Sequence, residues 1–331
     1  MVVMKRCLPL LLLGNLALIS CGGNAVKTAD HYRLNMAYHA SFKILWITDI
    51  HWGYAEDNPN YDAETKHLKG MIASAKEKEN PDLLVLTGDA FRNASSAQVG
   101  ELLSLIDSYS IPWAFTYGNH DTETFSTYRY YINDQIAKCK NQVFVDVKND
   151  AYTGLTNYYI DLTKENKTVY RLYIIDSNTY QNPDQEGSGY DVIHQDQLDH
   201  LKEISKTQND GAPGLAFFHI PLTEFTAAYQ GYKLGLYQGQ GENGEAVCGP
   251  YTNNGAYDVL KAINVKAACC GHDHKNYSDI NYKNEMIFSY GLKATDLDYH
   301  SENLYGYKTI ELPEDPSQLS LACFKTIKYL Y

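Results

Sequence analysis

Short apolar runs alternate with amphipathic stretches along most of the chain. Phe42 to Thr48 is apolar at all but a few positions and reads as a buried strand ending at Asp49. Ala63 to Lys78 is polar with an apolar stripe, which predicts a helix stopped by Asn80 and Pro81. A strand over Leu83 to Thr87 ends at Gly88 and Asp89, a helix follows over Val99 to Tyr109, and a strand over Pro112 to Thr116 ends at Gly118 and Asn119. This alternation predicts an α/β fold with polar residues gathered at the C-terminal ends of strands, where such proteins place ligands. Gly88 and Gly118 allow a close backbone approach there.

Further on, Thr122 to Lys138 predicts a helix, and Val143 to Val145, Asn157 to Asp161 and Val169 to Ile175 predict strands, the last two joined as a hairpin through the turn at Lys164 to Lys167. A polar loop over Ser177 to Gly189 precedes a helix over Gln195 to Ser205 and a strand over Leu215 to Phe218 that delivers His219. Tyr229 to Asn254 is rich in Gly, Tyr and Gln without periodicity and reads as a long, partly ordered loop over a cleft, offering Tyr232, Tyr237 and Tyr251 to a ligand. Strands over Val265 to Cys270, Met286 to Tyr290 and Tyr305 to Ile310 complete the pattern.

At 331 residues the chain can bury one large core, and no tandem repeat interrupts it. The N-terminus is of a different kind. Lys5 and Arg6 precede an apolar run from Leu8 to Ile19, too short to span a bilayer comfortably and shaped like an export signal. Leu18 to Cys21 resembles a bacterial lipobox, so the expected organisation is a signal peptide over 1–20, a lipidated or flexible tether over 21–41 anchored through Cys21, and a catalytic domain over 42–331. A cleaved, unlipidated secretory signal is the alternative. The formal charge of -12 becomes -14 once Lys5 and Arg6 are removed, which argues against broad nucleic-acid binding. The 29 tyrosines are scattered, without a base-stacking motif. Outside Cys7 and Cys21, the five cysteines Cys139, Cys248, Cys269, Cys270 and Cys323 allow one disulfide at most by this reading, with one of the adjacent pair facing the core.

The chemistry lies in five short blocks at strand ends: Asp49-Ile50-His51, Gly88-Asp89, Gly118-Asn119-His120-Asp121, His219, and Gly271-His272-Asp273-His274. Taken singly each has an ordinary reading, Asp49 as a solvated carboxylate, Asn119 as a turn residue, His219 as a packed histidine. Together Asp49, His51, Asp89, Asn119, His219, His272 and His274 offer carboxylate, amide and imidazole donors suited to Mn, Fe or Zn, enough for two ions if Asp89 bridges. No thiolate cluster suggests a structural zinc.

In that order the blocks resemble the signature of the calcineurin-like metallophosphoesterase superfamily, over about residues 42 to 312. The resemblance implies a four-layer α-β-β-α sandwich with two mixed β-sheets. It implies two divalent or mixed-valence ions, one held by Asp49, His51, Asp89 and His274, the other by Asp89, Asn119, His219 and His272. His272 and His274, two apart in an extended segment, would each meet a different ion. His120 would face the substrate, and Asp121 could orient it. The phrases around His219 and His272 look like the purple acid phosphatase 29-type branch. His51 stands where purple phosphatases carry glycine and Arg92 where they carry the colour-giving tyrosine, so a purple ferric site is not expected. The implied reaction is phosphoester hydrolysis by a metal-bridging hydroxide, the metals lying roughly 3.5 to 4 Å apart. Phosphomonoesters are the leading substrate class for a monomeric enzyme acting outside the cytoplasm. A phosphodiesterase or nucleotide pyrophosphatase is the alternative, and a non-catalytic binding protein on the same fold a further one.

Overall fold

A computed structural model describes residues 26–27, 30–53, 61–123, 128–147, 152–182 and 189–330. In chain order these form β1 (Val26–Lys27), β2 (Arg33–Ala37), β3 (Phe42–Ile47), α1 (Tyr61–Glu79), β4 (Leu83–Thr87), α2 (Ser96–Ser108), β5 (Trp113–Thr116), α3 (Tyr128–Ile136), β6 (Asn157–Lys164) and β7 (Lys167–Ile175). There follow α4 (Gln195–Gln208), β8 (Gly214–Phe217), α5 (Glu224–Lys233), β9 (Gly239–Gln240), α6 (Ala256–Ala262), β10 (Val265–Cys270), β11 (Asp279–Tyr282), β12 (Met286–Tyr290), β13 (Gly306–Leu312) and β14 (Phe324–Lys328).

Two mixed sheets result. One runs β1-β2-β6-β7-β8-β10-β12-β11-β9 and the other β14-β13-β3-β4-β5. The strands that deliver the signature blocks, β3, β4 and β5 in one sheet and β8 and β10 in the other, pair in parallel within their sheets, so their C-terminal ends fall together.

Alternation along the strands builds the layers. On β7, β8 and β10, Leu172, Ile174, Leu215, Phe217, Ala267 and Cys269 share a core with the five-stranded sheet. Their neighbours Tyr173, Ala216, Ala268 and Cys270 join a second core with Leu198 and Leu201 of α4, Phe225 of α5 and Leu260 of α6. The adjacent cysteines therefore face opposite cores, and all five cysteines among the described residues are free thiols. Between the sheets the Trp46 ring meets Phe217 edge-on at 6.0 Å, and Thr116 Oγ1 donates to the Ile175 carbonyl at 2.8 Å. Lys308 of β13 and Asp279 of β11 form a buried ion pair that joins the two sheets.

Helix α2 shows why these segments fold as they do. Ser95 and Gln98 form a capping box that satisfies the first free N–H groups. Val99, Leu102, Leu103 and Ile106 then fall on one face and are buried, each worth about 1.5–3 kcal/mol by the usual area bookkeeping. Ser110, at φ 54°, turns the chain away.

Several expectations are corrected. The tether expected over 21–41 ends early, because Arg33–Ala37 pairs in parallel with β6 and buries Leu34 and Met36. The helix expected over Thr122 to Lys138 is a short 3-10 turn at His120–Thr122 and then α3. Val143 to Val145 forms no strand; those residues are buried, but the neighbouring Gln142 makes only an isolated bridge to Trp113. The Tyr229 to Asn254 region is largely ordered, carrying the end of α5 and then β9. Tyr232 packs against Gly239, and Tyr237 meets Tyr282 at 5.3 Å, so both serve the sheet edge. The signal peptide and Cys21 lie outside the described residues, among which no helix is long and apolar enough to cross a membrane.

Candidate metal centre

The parallel pairing of β3 and β4 does not stop where the regular strands end. Asp49, His51 and Trp52 donate their N–H groups to the carbonyls of Gly88, Asp89 and Ala90 at 3.1, 2.9 and 2.9 Å, and Arg92 returns one to Trp52 at 3.1 Å. The zipper holds the first two signature blocks side by side. To aim their side chains into one cleft, Asp49, His51, Asp89 and His272 take left-handed backbone conformations with φ of 55°, 57°, 46° and 80°. Non-glycine residues adopt that region at a cost, and such residues concentrate at functional sites. Two glycines are sterically required. A Cβ on Gly118 would lie 2.2 Å from Asp89 Oδ1, and one on Gly271 would lie 2.0 Å from Thr48 Oγ1 and 2.6 Å from Asp49 Oδ2.

Six of the seven expected donors line one buried cleft, and the seventh, Asn119, is buried in the adjoining turn, where the His120 N–H donates to Asp89 Oδ1 at 2.8 Å. Two groups could each hold a cation, Asp49 with His51 and His274, and Asp89 with His219 and His272; within each group the donor atoms lie within 4.8 Å of one another. Asp89 sits between them, its Oδ2 3.0 Å from His219 Nε2 and 3.7 Å from His51 Nε2. Asp49 Oδ1 lies 3.5 Å from His274 Nε2 and 4.0 Å from His219 Nε2. Hydrogen bonds behind the rings select the nitrogen that faces inward: His219 Nδ1 to the Thr87 carbonyl at 2.8 Å and His274 Nδ1 to the Tyr299 carbonyl at 2.7 Å. His272 Nδ1 lies 3.3 Å from His219 Nε2, so both address one point.

His51 Nε2 and Asn119 Oδ1 are buried with no hydrogen-bond partner among the described residues, and Asp89 Oδ2 is faced by histidines, His219 Nε2 at 3.0 Å and His51 Nε2 at 3.7 Å. Buried polar atoms are rarely left unpaired, and His51 Nε2 faces this cleft. A cation bound there would satisfy it, and the two donor groups fit a pair of metal ions in both chemistry and geometry.

His272 and His274 reach their positions by a turn. The segment is not extended as expected, since Asp273 N–H bonds the Gly271 carbonyl at 3.0 Å and Asn276 N–H the Asp273 carbonyl at 3.1 Å. Asp273 anchors this turn by accepting from Tyr290 Oη at 2.6 Å and from the Cys248 N–H at 3.2 Å. The 242–249 segment runs alongside, with Gly244 N–H on the Lys275 carbonyl and Glu245 accepting from the Lys275 N–H, both at 2.9 Å.

His120 stands at the rim, its side chain 19% exposed and its Nε2 4.0 Å from Asp89 Oδ2. Asp121 does not orient it. That carboxylate is fully buried and accepts the N–H groups of Gly118, Phe91 and Asp89 at 2.8, 2.9 and 3.0 Å, so it fastens the Gly118 turn to the Asp89 loop. The partner of His120 Nδ1 is Glu123. Sequence reasoning missed Glu123, although its place three residues on within one turn was a usable signal. It also missed Asp298, 3.5 Å from His51 Nδ1 and ion-paired to Arg92, for which no local motif existed.

Burial opposes every charge in the cleft. It would raise Asp49 and Asp89, yet both carboxyls are held below their usual range, Asp49 by His274 and His51 and Asp89 by His219 and His120. Burial drives His51 well down and, with His219 nearby, takes His272 to about 3. His219 is the exception, where Asp89 and Asp49 outweigh burial and lift the ring to about 9. His120 is raised against burial by Asp89 and Glu123. Ionised carboxylates and neutral imidazoles are the forms that bind metal, and the extra proton on His219 is the one a cation beside Asp89 would displace.

The calcineurin-like phosphoesterase family model matches residues 42–276. The Arabidopsis thaliana protein named probable inactive purple acid phosphatase 29 is 31% identical over 286 residues, spanning 75% of this chain and 71% of the relative. Phosphatase DCR2 of Saccharomyces cerevisiae is 28% identical over 78% of this chain, which spans 49% of the yeast protein's length. Among solved structures, a dimetal phosphatase from Danio rerio superposes with a TM-score of 0.58 at 14% identity, covering 83% of this chain and 94% of its own, a likeness of fold. With that match across most of the domain, and with all five signature blocks meeting in one cleft, the chain belongs to the calcineurin-like phosphoesterase family.

Proposed function

We propose that this chain is a two-metal phosphoester hydrolase that prefers phosphomonoesters. The observation that carries the reading is the pair of donor groups that meet at Asp89, with the unpartnered His51 Nε2 3.7 Å from its Oδ2. Two bound cations would supply Lewis acidity toward phosphate oxygens and lower the pKa of water at the site. The chain's own residues do the rest. Asp49, His51, Asp89, Asn119, His219, His272 and His274 form the metal cradle. His120 stands at the opening, with Glu123 on Nδ1 leaving Nε2 to give a proton to the departing alkoxide.

The rim supports a monoester. The Tyr190 ring stands edge-on to His272 at 4.3 Å, Tyr299 stacks on His274 at 4.1 Å, and Tyr180 lies 3.4 Å from Asn119 Nδ2. Such a collar suits a terminal phosphate better than a diester with a second substituent to house. Three plant relatives bear the word inactive in their names, yet this chain brings six donors together in two groups. The test is a panel of aryl phosphomonoesters, aryl phosphodiesters and nucleotides assayed with Mn, Fe and Zn. Monoester turnover should lead. Faster diester cleavage would favour the phosphodiesterase, and two bound metals without turnover a binding protein.

We propose further that the chain acts outside the cytoplasm as a lipoprotein anchored through Cys21, on the strength of the apolar Leu8 to Ile19 run and the Leu18 to Cys21 motif. In a bacterial host the full chain should fractionate with membranes and Cys21→Ser should not. Equal fractionation of the two would refute the anchor.

A further inference from the structure

Arg92 is the cation between two acids that each touch a different histidine of the cleft. Its guanidinium pairs with Asp298, whose Oδ2 lies 3.5 Å from His51 Nδ1, and its Nε lies 4.0 Å from Glu123 Oε2. Glu123 in turn holds His120 Nδ1. The His51 and His120 rings are 5.2 Å apart. Both ring nitrogens of His51 are buried without a full hydrogen bond, so its orientation depends on the acid behind Nδ1, and that acid is held by Arg92. The backbone fixes the origin of the side chain, because the Arg92 N–H bonds the Trp52 carbonyl next to His51.

We propose that Arg92 is a positioning residue that locks a metal-facing histidine, His51, and the substrate-facing histidine, His120, into one arrangement through Asp298 and Glu123. The proposal rests on the two-metal reading above. A planar guanidinium can address two carboxylates at once, whereas an ammonium is a single point charge. Partners behind a metal-bound histidine typically govern affinity by about 10–100-fold.

The test compares wild type, Arg92→Met, Arg92→Lys, Asp298→Asn and Glu123→Gln, all as full chains, by Mn titration calorimetry without substrate and by steady-state kinetics with an aryl phosphomonoester. Arg92→Met should weaken the more loosely held Mn at least about tenfold and lower kcat by a similar factor with KM nearly unchanged, while its melting temperature stays near that of wild type. Arg92→Lys should recover part of either loss. Asp298→Asn should act mainly on Mn affinity and Glu123→Gln mainly on kcat, and each should add little in the Arg92→Met background. Wild-type Mn affinity and kcat in Arg92→Met would overturn the proposal and leave the two-metal reading intact. If Arg92→Met is too unstable to titrate, Asp298→Asn and Glu123→Gln decide, and wild-type Mn affinity in the first together with wild-type kcat in the second overturns it. Failure of the wild type to bind Mn, Fe or Zn would overturn both.

Discussion

At the scale of single residues, the cleft separates groups that are adjacent in sequence. Asn119, His120 and Asp121 follow one another, yet the first keeps a buried side-chain oxygen without a hydrogen bond among the described residues, the second stands at the rim and the third is buried beneath backbone N–H groups. Motif spacing brought out the residues of the two donor groups because each ends a strand or a tight turn. It could not separate the roles of His120 and Asp121, which depend on which way a single 3-10 turn faces. The distinction is measurable. His120→Ala should lower kcat by about 10²–10⁴-fold while both metals stay bound, as expected for loss of a general acid. Loss of metal together with turnover would make His120 a ligand. Left-handed backbone at Asp49, His51, Asp89 and His272 was equally hidden, since Asp and His are enriched in that region but adopt it at only a few per cent of positions.

At the scale of elements, strands with strong apolar runs were readable, the edge strand β5 among them, and edge strands without such runs were not. β3, β4, β5, β7, β8, β10 and β12 are buried on both faces and carry near-continuous apolar runs, the signature of a sheet covered on each side. β14 and β9 are partly exposed edge strands; β14 carries polar residues and pairs with β13, and β9 is two residues long and pairs with β11 beyond an intervening helix. The end of α2 shows another contact with no sequence signal. Asp107 Oδ1 accepts the Asn141 N–H at 2.8 Å and the Trp113 indole N–H at 3.1 Å, and Oδ2 accepts the Lys140 N–H at 3.0 Å, tying the helix to the segment beside β5. Burial would raise this carboxyl, but those donors depress it below its ordinary 3.8. A depressed folded pKa stabilises the fold above the unfolded value and ceases to do so as pH falls through the folded one. Asp107→Asn should therefore melt lower than wild type at neutral pH, with the gap closing below about pH 4. A gap independent of pH would show that charge plays no part.

At the scale of the whole molecule, the cleft exists because two sheets meet with strand ends aligned, so whatever fixes the sheets together fixes the metal positions. The buried Lys308–Asp279 pair is the charged element of that junction, with Lys308 Nζ also 3.0 Å from the Tyr277 carbonyl. Lys308→Met alone strands a buried carboxylate and should cost about 3–5 kcal/mol in denaturant unfolding, and adding Asp279→Asn should recover much of it. Equal losses in the single and double variants would mean that packing, and not charge, makes the contact. The family resemblance made the two-sheet architecture foreseeable, whereas this bridge joins residues 29 apart on strands of different sheets and could be seen only in the fold. The account turns on Asp89 standing between two metal positions, and metal content of the purified chain tests that most directly. Elemental analysis after equilibration with Mn or Zn should find two ions per wild-type chain and fewer than two in Asp89→Asn, with circular dichroism unchanged. Two ions retained in Asp89→Asn, or none in the wild type, would contradict it.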